Sequence, residues 1–285
     1  MTASSTVSIA SQTVAEPVVM LQAAGASIAV RRKGKGPPIV CTHAIGHGAR
    51  DFEALASRLG HMFEFIMLDW PGQGSSPADD GEVSSQRYSA ILMDVLDQLS
   101  LSRVILLGNS IGGGASIITA ATQADRVRGL VLCNTAGLVK PSLITRLFCR
   151  NKARFFEQAE RGVQDFPAQF RRYYEKAVLP GHPAKQRREE IIATATAVGP
   201  IIRRAWLSFA KPESDLRALA LRIKCPVLIA WAKDDKVNRW AFSKAAAKAF
   251  PNRRIEMLPG GHTAFLEAPA AFDAVFHNWL RSIPT

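Results

Sequence analysis

Short apolar runs rich in Val, Ile and Leu recur along the chain, separated by stretches of helical periodicity. They fall at 18–22, 27–31, 38–42, 63–69, 104–107, 129–133, 227–231 and 254–258. Several are continuous rather than alternating, the pattern of strands covered by helices on both faces. Between them, Tyr88, Ile91, Leu92, Val95, Leu96 and Leu99 share one helical stripe, with Ser84 placed to cap it. Ile111, Ala115 and Ile118 make a second stripe. Phe272, Val275, Phe276, Trp279 and Leu280 make a third, opened by Pro269. Strands alternating with helices predict an α/β fold built on a mainly parallel, doubly wound, eight-stranded sheet.

The alternation stops after the sixth run. Residues 139–220 carry helical patterning, many aromatics and turn signals at Pro180-Gly181 and Gly199-Pro200, but no clear strand. The organisation expected is a flexible tail at 1–16, a core at 17–138 and 221–285, and a helical cap at 139–220.

Composition narrows the class. With 285 residues, 47% hydrophobic and 21% charged, the chain can bury a large core and is too apolar for disorder. No run approaches the roughly 18 apolar residues of a membrane span; the best, at 17–30, is broken by Gln22, Gly25 and Ser27. The N-terminus has neither a basic n-region nor an apolar h-region, so no signal peptide is expected. Cys41, Cys133, Cys149 and Cys225 show no paired spacing and read as free thiols, which suits a reducing cytoplasm. The net charge of +12 asks for an acidic partner without choosing one.

Candidate chemistry begins at Gly108-Asn-Ser-Ile-Gly-Gly-Gly, where G-x-S-x-G ends one apolar run and opens a helical stripe. That is the setting of a nucleophile elbow, which puts Ser110 on a tight turn. A serine needs a base, and the base an orienting acid. His262 follows the last strand run directly. Asp234 and Asp235 follow the seventh, and either could orient it. Ile111 N–H is one oxyanion donor, and the loop Thr42-His-Ala-Ile-Gly-His-Gly-Ala is placed to give another. His43 and His47 lack the Cys or carboxylate set of a metal site beyond Asp51, so no metal is expected. No Gly-rich loop leads into Lys-Ser/Thr, which argues against a phosphate cradle.

Five blocks in this order resemble the α/β-hydrolase superfamily: His43-Ala-Ile-Gly, Asp69-Trp-Pro-Gly-Gln-Gly-Ser-Ser, Gly108-Asn-Ser-Ile-Gly-Gly, Trp231-Ala-Lys-Asp-Asp and Gly261-His262. The resemblance spans roughly 20–138 and 220–285. It implies that fold, with a cap after the sixth strand, a Ser110–His262–Asp235 triad and Ile45 as second oxyanion donor. Ala232 and Ala44 stand where the family usually has glycine. Serine at 110 separates the chain from the dehalogenases and epoxide hydrolases, which carry aspartate there. The implied activity is cofactor-free hydrolysis of a small ester or lactone through an acyl-enzyme, with an anionic substrate in view. One alternative is cleavage of carbon–carbon bonds in ring-fission products, although His47 replaces a proline and Thr263 a tryptophan of those enzymes. Another is a silent ligand-binding scaffold.

His43, Trp206 and Arg203 are the substrate-contact candidates. Between 140 and 215 stand 15 Lys or Arg against 8 Asp or Glu, a net of +7. The cap is therefore the basic region, where solvated helix faces, an anionic small-molecule substrate or an acidic acyl carrier would account for the charge. Nucleic acid is not expected.

Overall fold

A computed structural model describes residues 17–283, so the expected tail at 1–16 lies outside the described residues. The strands are β1 (Val18–Ala23), β2 (Ala26–Gly34), β3 (Pro38–Thr42), β4 (Glu64–Leu68), β5 (Val104–Asn109), β6 (Val127–Cys133), β7 (Val227–Ala232) and β8 (Arg253–Leu258). They form one sheet in the order β1-β2-β4-β3-β5-β6-β7-β8. β2 pairs antiparallel with both β1 and β4, and every other neighbouring pair is parallel.

The continuous apolar runs are explained by burial on two faces. Val40, Ile66, Val104 and Leu106 point into one cluster, where they meet Tyr88 and Ile91 of the helix Ser85–Gln98 and Ala115 of the helix Ile111–Thr122. Ile39, Cys41, Ile105 and Leu107 point the other way, onto Phe52, Phe272 and Trp279. Each fully buried Leu or Ile adds about 1.5–3 kcal/mol to this double core. Ser84 caps the first of these helices through the Arg87 N–H at 3.3 Å. In chain order the helices are α1 (Glu53–Leu59), α2 (Ser85–Gln98), α3 (Ile111–Thr122), α4 (Leu143–Glu160), α5 (Phe166–Tyr173), α6 (Lys185–Ile192), α7 (Ala195–Phe209), α8 (Arg217–Ala220), α9 (Trp240–Ala247), α10 (Ala264–Glu267) and α11 (Pro269–Leu280).

Helix α3 departs from the one-stripe expectation. Nearly all its residues are buried, including Ile117, whereas Ile118 is only half-buried. It contacts β3, β5 and β6 of the sheet as well as α2 and α8, so burial on one stripe is not enough.

Helices α4 to α8 lie between β6 and β7, and no strand is found there. Phe156, Phe166, Phe170 and Tyr174 give this cap its own core, with Phe170 stacked on Tyr174 at 4.6 Å. Gly199-Pro200 is not a turn but lies inside α7. The glycine is where α7 crosses α4: a Cβ on Gly199 would fall 2.4 Å from Ala159 Cβ. Close helix contact offsets the hydrogen bond that an interior proline removes.

Candidate active site

The candidate residues gather at the carboxyl ends of the parallel strands, where ligands bind in open α/β sheets. Ser110 sits between β5 and α3 with φ 54° and ψ −120°. Such a backbone costs about 1–3 kcal/mol and persists only where its surroundings hold it. Here Ser110 N–H donates to the Cys133 carbonyl at 3.1 Å, while its own carbonyl accepts from Ala136 (2.9 Å) and Gly114 (3.1 Å). The flanking glycines are steric requirements. A Cβ on Gly108 would lie 2.6 Å from Gly113 Cα, one on Gly112 2.3 Å from the Thr42 carbonyl oxygen, and one on Gly113 2.4 Å from Thr135 Oγ1.

His262 follows β8, and its Nδ1 lies 2.9 Å from Asp235 Oδ2. Of the two aspartates after β7, Asp235 is buried and Asp234 exposed. The Asp235 carboxylate is fully engaged. Oδ1 accepts from the Val237 (2.7 Å) and Asn238 (3.0 Å) N–H groups, and Oδ2 also accepts from Asn134 Nδ2 at 2.6 Å. Ser110 and His262 line one cavity of about 690 Å³.

Three positioning residues escaped the sequence reading. Asn134, at φ 44° after β6, holds Asp235 through Nδ2 and accepts from Ala232 N–H through Oδ1 at 3.0 Å. Asn109 donates to the His262 carbonyl at 3.0 Å and accepts from Thr263 Oγ1 at 3.0 Å, which ties the histidine loop to the elbow. Glu267 accepts from Gly261 N–H at 2.8 Å through one oxygen and from Gly181 N–H at 2.8 Å through the other. Burial raises its carboxyl above the usual range against the pull of those donors. The only sequence signal for the first two was their place beside strand ends. The cap closes the loop from outside, since Val178 carbonyl accepts from His262 N–H at 2.8 Å.

Ile111 opens α3, where the first N–H groups have no intrahelical acceptor. Ile45 lines the cavity. Its loop is fixed by Gln73 Oε1, which accepts from Gly46 N–H at 2.6 Å, and by Asp69, which accepts from Ala49 N–H at 2.6 Å.

Of the three substrate-contact candidates, Trp206 lines the cavity and the other two do not. His43 is fully buried: its Nε2 accepts from Trp70 N–H at 2.9 Å and its Nδ1–H donates to the Ala44 carbonyl at 2.7 Å. Burial drives its pKa down to about 4, so this neutral ring is a strut between β3 and β4. Arg203 turns toward α4, 3.6 Å from both Glu157 and Glu160. Among the described residues no three His, Cys, Asp or Glu side chains are grouped to hold a metal ion. No helix among them is long and apolar enough to cross a membrane.

Sheet order, elbow and cap together define an α/β hydrolase. The model of the alpha/beta hydrolase family matches residues 39–275, and the chain belongs to that family. Among curated proteins it is similar to one named carbamate hydrolase RutD from Pseudomonas savastanoi pv. phaseolicola, 26% identical over 250 residues, covering 86% of this chain and 94% of that one. Among solved structures it is similar to a thermophilic esterase from Thermogutta terrifontis (TM-score 0.78, 22% identity, 94% of this chain and 100% of that one). It is also similar to the enol-lactonase of Burkholderia xenovorans LB400 (TM-score 0.75, 22% identity, 92% of this chain and 100% of that one). At that identity the structural likeness speaks for the fold.

Proposed function

We propose that the protein is a serine hydrolase acting on a small ester or lactone, with Ser110 as nucleophile, His262 as general base and Asp235 as its orienting acid. The observation that carries this reading is Ser110 held at positive φ on the wall of the cavity that His262 shares, with His262 Nδ1 bonded to Asp235. Asp235 fixes the tautomer that leaves Nε2 free to take the Ser110 proton. Ser110 Oγ then attacks the carbonyl carbon, and the Ile45 and Ile111 N–H groups stabilise the oxyanion. His262 returns the proton to the leaving group, and water releases the acyl-enzyme by the same steps.

The charged side chains lining the cavity are Lys140, Arg217, Lys236 and Arg239; Arg217 is paired with Asp215 at 2.8 Å, and among the described residues no acidic side chain lines the cavity itself. This supports an anionic substrate. Much of the cap's charge is internally paired: Arg171 with Glu189, Arg172 with Asp165, Arg187 with Glu190, Arg203 with Glu157. Exposed Leu143 and Ile144, with Arg150 further along α4, supply a face for an acidic acyl carrier. Four free cysteines, three of them buried, suit a reducing compartment.

A panel of aryl esters, lactones, carbamates and ring-fission acids tests the reading. Turnover of an ester or lactone, lost by at least about 10³-fold in Ser110→Ala, is expected. Retained turnover in that variant, or activity confined to ring-fission acids, would overturn it.

A further inference from the structure

The loop after β3 brings a second histidine to the cavity, and acyl transfer as written gives it no task. His47 lines the cavity with Ser110 and His262, although its side chain is only 1% exposed. Its Nδ1 lies 2.7 Å from Asp51 Oδ2. A carboxylate only accepts, so Nδ1–H donates to Asp51 and Nε2 is left at the other edge of the ring. Among the described residues that Nε2 has no hydrogen-bond partner.

The ring is held in this pose from two sides. Arg187 of α6 donates to Asp51 Oδ1 at 2.7 Å and to Glu190 at 3.1 Å. Burial, which raises a carboxyl, is outweighed at Asp51 by His47 and Arg187, and its pKa falls well below the usual range. Tyr174 packs on the ring from the cap at 5.8 Å between centroids. A buried polar atom without a partner is costly, and an ion-paired scaffold that keeps one on a residue of the cavity wall points to a ligand that completes it. His47 and Ile45 also share one turn, closed by His47 N–H to the Ala44 carbonyl at 3.2 Å. What His47 meets is therefore near the oxyanion end of the cavity.

We propose that His47 Nε2 reads the substrate through a hydrogen bond to a hydroxyl or amide group carried within a few bonds of the scissile carbonyl. The substrate class becomes hydroxylated or amide-bearing acyl compounds rather than plain alkyl esters. The inference rests on Ser110 being the nucleophile. A site built to bond such a group discriminates against the analogue that lacks it, because the site atom is then left unpaired. One such bond gives a preference of about tenfold, or about 1.4 kcal/mol.

Two matched ester pairs test this in kcat/KM: aryl 3-hydroxybutyrate against aryl butyrate, and a 2-hydroxyethyl against an ethyl ester. The wild type is expected to prefer the hydroxylated member of at least one pair by about tenfold. Two variants separate substrate reading from mere support of Asp51. His47→Asn keeps an amide N–H at the Nδ1 position but has nothing at Nε2, so it should lose the preference. His47→Gln reaches the Nε2 position but not Asp51 in the same way, so it should keep part of it. The reverse order, or no preference in the wild type, would overturn the proposal. Fluorophosphonate labelling of Ser110 in the same preparations keeps the two readings apart. Labelled enzyme without discrimination removes only the role of His47, whereas unlabelled wild type removes the nucleophile assignment itself.

Discussion

Asn134 offers a quantitative check on how the buried Asp235 carboxylate is held. Its Nδ2 donates to Asp235 Oδ2 at 2.6 Å, its Oδ1 accepts from Ala232 N–H at 3.0 Å, and its carbonyl accepts from Asn238 Nδ2 at 2.8 Å. Asn134→Ala removes a hydrogen bond to a buried carboxylate, worth about 1.5–3 kcal/mol, and orphans a buried N–H, at about 1–3 kcal/mol. It also leaves a residue less tolerant of the left-handed region at φ 44°, which adds about 1 kcal/mol. These contributions share one site and do not add fully. The expected loss is about 3–5 kcal/mol. Urea unfolding at pH 7 should show it as a lower midpoint with an unchanged m-value. Asn134→Gly relieves the backbone part alone, so it should be about 1 kcal/mol more stable than the alanine variant. A loss below about 1 kcal/mol, or a glycine variant no better than alanine, would refute this reasoning.

Further outcomes follow from the same contacts. The pKa of His43 is lowered from 6.5 to about 4, so between those values the unfolded chain binds a proton that the native ring does not. Wild-type stability should fall by about 3 kcal/mol from pH 7 to pH 4 on this account. The same titration of His43→Gln should be flatter, and equal slopes would contradict the strut role. Asp51 has a lowered pKa, so its stabilisation is present above about pH 4 and fades as the pH falls below that. The stability gap between wild type and Asp51→Asn should therefore narrow on acidification; a constant gap would count against it. Gly112→Ala drives a Cβ to 2.3 Å from the Thr42 carbonyl oxygen, and overpacking there should cost about 1–3 kcal/mol by thermal unfolding. Glu267→Gln offers one amide oxygen where two carboxylate oxygens serve Gly181 and Gly261, so a loss of about 1–3 kcal/mol is expected, together with a lower kcat.

Much of the frame was legible because it is written locally. Continuous apolar runs marked strands buried on both faces, and Gly108, Ser110 and Gly112 marked an elbow whose close contacts tolerate no larger side chain. The choice between Asp234 and Asp235 was not local. The resemblance placed it on Asp235, and the physical reason lies in the fold, which turns that carboxylate inward to Asn134 and His262. Asn109, Asn134 and Glu267 were illegible for the same reason, because ordinary polar residues acquire their roles from partners far along the chain. His43 and Arg203 look like site residues by type and place, yet desolvation and ion pairing consume them elsewhere. Gly199-Pro200 reads as a turn until α4 is seen against it.

In the proposed function Ser110 is a nucleophile activated by His262. Incubation with a fluorophosphonate, followed by intact and peptide mass measurement, addresses it most directly. One adduct per chain on the peptide containing Ser110, absent from Ser110→Ala and strongly slowed in His262→Gln, is the expected result. Failure to label the wild type, or an adduct on another residue, would contradict it.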